Sequence, residues 1–241
     1  NSPIPHIIHQ VWIGSEFPEK YREWANSWTK INKNWEYKLW TEDNLLPLMN
    51  DQQKKWYFKT SSFGPKSDLA RFLVLSKFGG IYCDTDFECL KSFDDFCNTT
   101  TLFAGTIFNS KPEIAGGIVG AVPHHPLIEK TIELLTSNDI TTSKTLDILE
   151  GTGPAFFTRC IFDNTTLLNS SDVFLPTHYL YPFPNYENNP ELTLQKIKKE
   201  FIKPNSMAIH YWDQSWMKFD SILLKMIKKI IKAVIFYDKW K

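Results

Sequence analysis

Residues 66–90, "KSDLARFLVLSKFGGIYCDTDFECL", hold the reading that decides the fold. Up to Gly79 the segment is helical in character: Ser67 is an N-cap candidate, Leu69, Phe72, Leu73 and Ser76 form a stripe, and Gly79 can supply a left-handed cap. From Gly80 the period changes, and the rest reads as a strand. Side chains alternate across a strand, so Tyr82, Asp84, Asp86 and Glu88 are expected on one face and Ile81, Cys83, Thr85 and Phe87 on the other. The first set is too acidic for a core. Two carboxylates at i and i+2 repel unless a cation or strong donors lie between them. A hard divalent ion, Mg²⁺ or Mn²⁺, with phosphate oxygens completing its shell, meets that need. Taken alone, Asp-x-Asp also fits an ordinary acidic strand end, and Asp68 with Arg71, three apart on one helix face, fits a surface ion pair.

Outward from this block, short apolar runs alternate with helical patterns, as in an α/β domain with a mostly parallel sheet. Strands are expected within 4–14 ("IPHIIHQVWIG"), at 36–40 ("EYKLW"), and in "TLFAGTIF" and "EIAGGIVGAV". Helices are expected at 21–32, after Thr41 until Pro47, in "HPLIEKTIELLTS", and in "GTGPAFFTRCIF" with Pro154 at the first helical position. The stretch 172–206, rich in Pro, Tyr and Asn, reads as loop with short extended pieces. The tail 218–241 reads as a separate basic amphipathic helix: Ile222, Leu223, Met226, Ile227, Ile230 and Ile231 recur at helical spacing beside Lys225, Lys228, Lys229 and Lys232. It would either pack on the domain or lie on an anionic membrane surface.

Composition bounds the function. The chain has 241 residues, 42% of them hydrophobic, and no formal net charge, which describes one globular domain and gives no sign of a nucleic-acid partner. Aromatic residues reach 15%, with nine Trp, more than a core alone requires and suited to stacking on bases or sugar rings. Cys83, Cys89, Cys97 and Cys160 lack zinc or disulfide spacing and read as reduced, buried thiols. No apolar run is long enough to span a bilayer. The chain opens on Asn1-Ser2-Pro3, so the expected location is cytoplasmic, with peripheral membrane contact through the tail, or a Golgi-type lumen behind a removed upstream anchor.

A helix that opens on Asp-x-x-Arg, ends in Gly-Gly and runs into apolar-Tyr-x-Asp-x-Asp is a long ordered pattern. "SDLARFLVLSKFGGIYCDTDFE" resembles the sugar-binding region of DXD glycosyltransferases, in particular family 32, with its yeast Golgi mannosyltransferases and bacterial capsule and lipopolysaccharide enzymes. The large clostridial glucosylating toxin domains are more distant kin. "IPHIIHQVWIG" resembles the family's start, "HYWDQSW" (210–216) its end, and "GTGP" adds to the match, so the resemblance spans about residues 3–217.

The resemblance implies a GT-A fold, a central mixed sheet flanked by helices, and retaining transfer of a hexose from a nucleotide-diphosphate sugar, UDP-glucose or UDP-galactose first and GDP-mannose second. The acceptor would be a glycan or a lipid-linked glycan. It implies Mn²⁺ or Mg²⁺ on Asp86, with Asp84 holding the ribose or reaching the metal through water, and His210 as a third ligand or a phosphate contact. Asp68 and Arg71 would meet donor-sugar hydroxyls, Trp12 the base, and Tyr82 and Trp216 would complete donor binding. Without the resemblance Trp12 reads as core and His210 as structural. One departure is Ala115-Gly116-Gly117, where relatives often carry an Asn before the small-residue strand.

Two rival classes share some features. A Mg²⁺-dependent phosphohydrolase also uses Asp-x-Asp at a strand end, but that strand would come early and be followed by Thr/Ser and Lys signals missing here. A non-catalytic sugar-binding module would have no need of a metal-diphosphate pair.

Overall fold

The computed structural model of the chain describes residues 3–109, 111–137, 151–185 and 192–213. Trp216 and the basic helix expected at 218–241 lie outside these residues. In chain order the elements are β1 (Ile7–Val11), α1 (Arg22–Ile31), β2 (Glu36–Trp40), α2 (Glu42–Leu45), α3 (Asp51–Lys59), α4 (Phe63–Phe78), β3 (Gly80–Cys83) and β4 (Phe87–Cys89). They continue with α5 (Asp94–Thr99), β5 (Leu102–Asn109), β6 (Lys111–Ala121), α6 (Pro126–Ser137), α7 (Pro154–Asp163), β7 (Asp172–Leu175), α8 (Thr177–Leu180), α9 (Leu194–Phe201) and β8 (Ala208–His210).

Six strands form one mixed sheet in the order β2-β1-β3-β6-β5-β7, and β4 pairs with β8 in a separate two-stranded sheet. β1 runs parallel to β2 and β3, β5 runs parallel to β7, and β6 is antiparallel to both of its neighbours. The alternation predicted for β3 divides the core. Tyr82 joins the apolar layer of α4, α6 and α7, while Ile81 and Cys83 join the opposite layer with Trp28, Phe93 and Phe103. All four cysteines are buried and free, as expected.

Helix α4 starts earlier than its sequence pattern indicates. Its N-cap is Ser62, not Ser67, with Pro65 in the first turn, where a missing N–H costs nothing. It is buried on nearly every side, from Leu69 and Ala70 through Phe72 to Ser76, because α6 covers the face that the sheet does not. Gly79 and Gly80 both take positive φ, +62° and +91°. Gly79 is not the expected left-handed cap, since its ψ of −156° turns the chain straight into β3. A Cβ on Gly80 would lie 2.5 Å from the Ile7 carbonyl oxygen.

The continuous strand expected over 80–90 is broken. β3 stops at Cys83, residues 84–86 form a turn closed by Phe87 N–H donating to the Asp84 carbonyl, and β4 then pairs with β8. A central strand sandwiched between two apolar layers has no room for three successive carboxylates, so the chain leaves the sheet where they begin. The stretch 172–206 also holds more structure than its composition suggests. β7 extends the sheet edge, and in α9 Thr193 accepts from Lys196 N–H while Ile197 is buried.

Candidate functional site

The site forms where β1 and β3 end. Gln10, near the end of β1, donates from Nε2 to the Asp84 carbonyl at 3.2 Å, and Asp84 N–H donates to the Gly117 carbonyl of β6 at 2.8 Å. These bonds fix the backbone of the turn from both neighbouring strands. From α4, Arg71 Nη2 reaches Asp68 Oδ1 at 3.0 Å and Asp84 Oδ1 at 3.1 Å, and the guanidinium lies 4.9 Å above the Tyr82 ring. The Tyr82 hydroxyl donates to the same Asp84 oxygen at 2.6 Å.

The pair Gly116-Gly117 makes room for this cluster. A Cβ on Gly116 would stand 2.8 Å from Arg71 Nη1, and one on Gly117 would stand 3.0 Å from Asp84 Oδ2. Burial raises the Asp84 carboxyl above the usual carboxylate range against the pull of Arg71, with Asp86 adding to the rise. Asp68 is raised for the same first reason, burial, although Arg71 and a hydrogen bond from Thr152 favour its charged form. Burial works against the Arg71 charge, but Asp84 and Asp68 overcome it and hold the guanidinium more firmly protonated than usual. The Tyr82 hydroxyl is pushed far up by burial and remains a donor.

The other half of the site comes from the chain's return. β8 lies against β4, which brings His210 Nε2 to 2.9 Å from Asp86 Oδ1, and the next segment sends Asp213 N–H to Asp86 Oδ2 at 2.7 Å. Tyr211 N–H donates to the Asp86 carbonyl. His210 stacks on Phe87 with ring centroids 4.4 Å apart and planes 8° apart, and Trp212 closes its other side at 4.1 Å. Trp212 has φ +57°, a strained value for a bulky residue, and its Nε1 donates to the Phe183 carbonyl at 2.7 Å.

The arrangement fits a hard divalent cation. Asp84, Asp86 and His210 each offer a ligand atom, and these atoms lie within 4.8 Å of one another. His210 Nδ1 is buried with no hydrogen-bond partner among the described residues, an orphan that a ligand would satisfy. Asp68 and Asp84 share one guanidinium and Asp86 adds a third carboxylate, so the cluster favours added positive charge when they are ionised.

The comparisons with known proteins agree with this chemistry. The family described as "Glycosyltransferase sugar-binding region containing DXD motif" matches residues 18–103, which take in α4, β3 and the turn. The chain is 29% identical over 195 residues to an uncharacterised glycosyltransferase of Acanthamoeba polyphaga mimivirus, covering 77% of this chain and 76% of that one. It is 25% identical to inositol phosphoceramide mannosyltransferase 1 of Schizosaccharomyces pombe over 97% of this chain and 69% of that one. The chain is similar to DXD-type glycosyltransferases. Its fold is GT-A: the catalytic domain of the Clostridium novyi alpha-toxin superposes with a TM-score of 0.61 over 95% of this chain and 83% of that one, at 9% identity.

The fold brings Asp68, Arg71, Tyr82, Asp84, Asp86 and His210 together as one cluster. Trp12 lies just past the end of β1, half-buried, tilted against Tyr21 at 5.0 Å and edge-on to Phe17, with Nε1 donating to Ser15. Glu88, expected to face the same way as the aspartates, instead pairs with Lys198 at 2.7 Å and accepts from the Tyr211 hydroxyl, which ties β4 to α9 and the return segment. Several contributors to the site escape sequence reasoning. Gly116 and Gly117 register only as a departure from the family pattern. Asp213 acts through its backbone N–H, which no side-chain pattern reveals. Tyr181, whose oxygen accepts from Ile118 N–H, sits in a stretch that reads as loop.

Proposed function

We propose that the transferase moves a hexose, with mannose favoured, from a nucleotide-diphosphate sugar to a hydroxyl of a glycan or lipid-linked acceptor in a divalent-metal-dependent reaction. The convergence of Asp84, Asp86 and His210 within 4.8 Å carries this reading. A divalent ion bound there would neutralise charge developing on the leaving diphosphate. Asp86 and His210 would hold it directly, and Asp84 would meet the ribose or reach it through water. Asp68 and Arg71 would engage the donor-sugar hydroxyls. Arg71 keeps a buried Nε with no partner among the described residues, which leaves it an N–H to offer the donor. Tyr82 would orient Asp84 from below, since it is itself buried. Trp12 would stack on the base and Trp216 would cap the donor.

The Schizosaccharomyces pombe relative, named for mannose transfer to inositol phosphoceramide, supports mannose over glucose or galactose and a lipid-linked over a free acceptor. Retention of the anomeric configuration belongs to the same reading, with the departing phosphate taking the acceptor's proton on the face where it leaves. Membrane contact through 218–241 is part of it too, and co-sedimentation of the full chain with anionic liposomes, against a chain ending at residue 218, measures it.

Calorimetric titration of GDP and UDP, each with and without Mn²⁺, tests the core of the proposal. One nucleotide should bind only with Mn²⁺, and Asp86→Ala should weaken that binding by about two orders of magnitude, the loss expected when one of few charged ligands to a hard ion is removed. Binding of neither nucleotide, or binding indifferent to both Mn²⁺ and Asp86, would sink it.

A further inference from the structure

Where α3 hands over to α4, two exposed phenylalanines stand among lysines, and the donor-binding reading uses none of them. Phe58, in the last turn of α3, is 66% exposed, and Phe63, the first residue of α4, is 40% exposed. They belong to one surface. The Phe58 ring meets the Tyr57 ring edge-on at 5.7 Å, and Lys66 Nζ lies over both Tyr57 and Phe63, 4.6 and 5.8 Å from their centroids. Lys54 and Lys55 precede Phe58 by one helical turn and share its face. The only acid on α3 is Asp51, in the first turn.

This surface lies at the end of the sheet that carries the site. α4 runs into β3 through Gly79-Gly80, so its first turn stands where β1 and β3 stop and the aspartates begin. Phe63 also packs on the segment that leaves β1: a Cβ on Gly14 would lie 2.3 Å from its Cζ. Along α4, Phe63 precedes Asp68 and Arg71 by roughly 8–12 Å. Phe162 gives the contrast. It is also 66% exposed, but it sits in the last turn of α7, on the way into β7, which runs in the direction of β3, and so stands near the opposite end of the sheet.

We propose that the surface of Phe58, Phe63, Lys54, Lys55 and Lys66 docks on an anionic lipid bilayer. Exposed aromatic rings suit the boundary between headgroups and acyl chains, where their burial is favourable. The lysines match a negative surface, and Lys66 already lays its chain along two rings, which keeps its ammonium free to reach outward. The contact is separate from the one proposed for 218–241, and two such signals are what stable peripheral binding takes. Docking itself does not rest on the transferase reading. Its consequence does: the metal cluster would be held close to the bilayer surface.

Full chains carrying Phe58→Cys or Phe162→Cys, labelled with a nitrobenzoxadiazole dye, test this, because all four native cysteines are buried. Vesicles of phosphatidylcholine and phosphatidylserine, given without nucleotide or Mn²⁺, should brighten the dye at position 58 and shift it to the blue, and leave the dye at 162 as in water. In unlabelled protein, Phe58→Ala should weaken co-sedimentation with these vesicles about tenfold. Lys55→Ala should weaken it about fivefold, an effect absent on phosphatidylcholine alone. Vesicle binding with the dye at 58 unchanged would assign the contact to another surface, the tail included, and overturn the proposal. A dye at 58 already blue-shifted before vesicles are added would mean that the tail or a second copy covers this face, and would overturn it equally, as would no vesicle binding. Failure here leaves the transferase reading standing, and failure of the nucleotide titration leaves the docking standing.

Discussion

The two halves of the site are built differently. Asp68, Arg71 and Asp84 belong to one helix–strand unit spanning 68–84, with Asp68 buried and Arg71 and Asp84 half-buried, and are held by Gln10, Tyr82 and Gly117. Asp86 and His210 meet across 124 residues, on a two-stranded sheet outside the main one, braced at the rim by Glu88 with Lys198 and by Asp213 with Lys20 and Tyr21. A two-stranded sheet adds little stability of its own. The sheet half therefore stands as a preformed, charge-locked floor, and the return half is the part that bound ligand would stabilise most.

The largest effect expected from this contrast is on the floor. Arg71→Met leaves Asp68 and Asp84 facing each other without their shared cation, and because both carboxylates are already raised by burial, the loss should be severe. Breaking a buried ion pair of this kind costs roughly 3–5 kcal/mol. Urea denaturation should report a loss of that size at neutral pH, shrinking as the pH falls and the two carboxylates protonate. A loss below about 1 kcal/mol would mean that the floor is no more locked than a surface pair.

Acid should loosen the same half by a second route. His9 is fully buried, with Nδ1 accepting from Trp40 Nε1 at 3.0 Å and Nε2 donating to the Gly79 carbonyl at 2.9 Å, so it ties β1 to the end of α4 as a neutral ring. Burial lowers its pKa from 6.5 to about 4, the bond to Gly79 offsetting only part of that. The unfolded chain binds the extra proton first, so this contribution is fully present above pH 6.5 and is lost as the pH falls toward 4. Its size is about 3 kcal/mol. His9→Gln, which keeps an acceptor and a donor, should flatten the slope of stability between pH 6.5 and 4. An unchanged slope would place the titration elsewhere.

The same division explains what the sequence reveals. α4, Gly79-Gly80 and β3 lie within one contiguous stretch, and their period change, glycine pair and carboxylates can be read locally, as can β1, β2 and the pair β5 and β6. The break after Cys83 cannot be read so, because it depends on how the two apolar layers close over β3. Its consequence is that Asp86 leaves the strand and still converges with Asp84, by way of a turn rather than a shared strand face. His210 stands in a recognisable segment, but its partner is chosen by the register of β8 on β4, which places Phe87 opposite it. α3 shows the opposite case: its apolar spacing is weak, yet the box in which Asn50 and Gln53 each cap the other's backbone marks its start.

The smallest effect tests whether the return half is held by backbone or by its rim. Lys20 is 57% exposed and Asp213 35%, and Tyr21 also donates to the same Asp213 oxygen, so the ion pair is screened and partly redundant. Lys20→Met should cost less than about 1 kcal/mol in urea. Asp86 would be unaffected, because what it accepts from Asp213 is the backbone N–H, which the substitution leaves in place. Mn²⁺-dependent nucleotide affinity should accordingly change by less than about threefold, under 1 kcal/mol of binding free energy. A tenfold loss would show that the side-chain latch from Lys20 through Asp213 sets the position of Asp86. The return half would then be a strap fastened at its rim, and the segment carrying Trp12, Tyr21 and Lys20 would have to move with the metal cluster rather than independently of it.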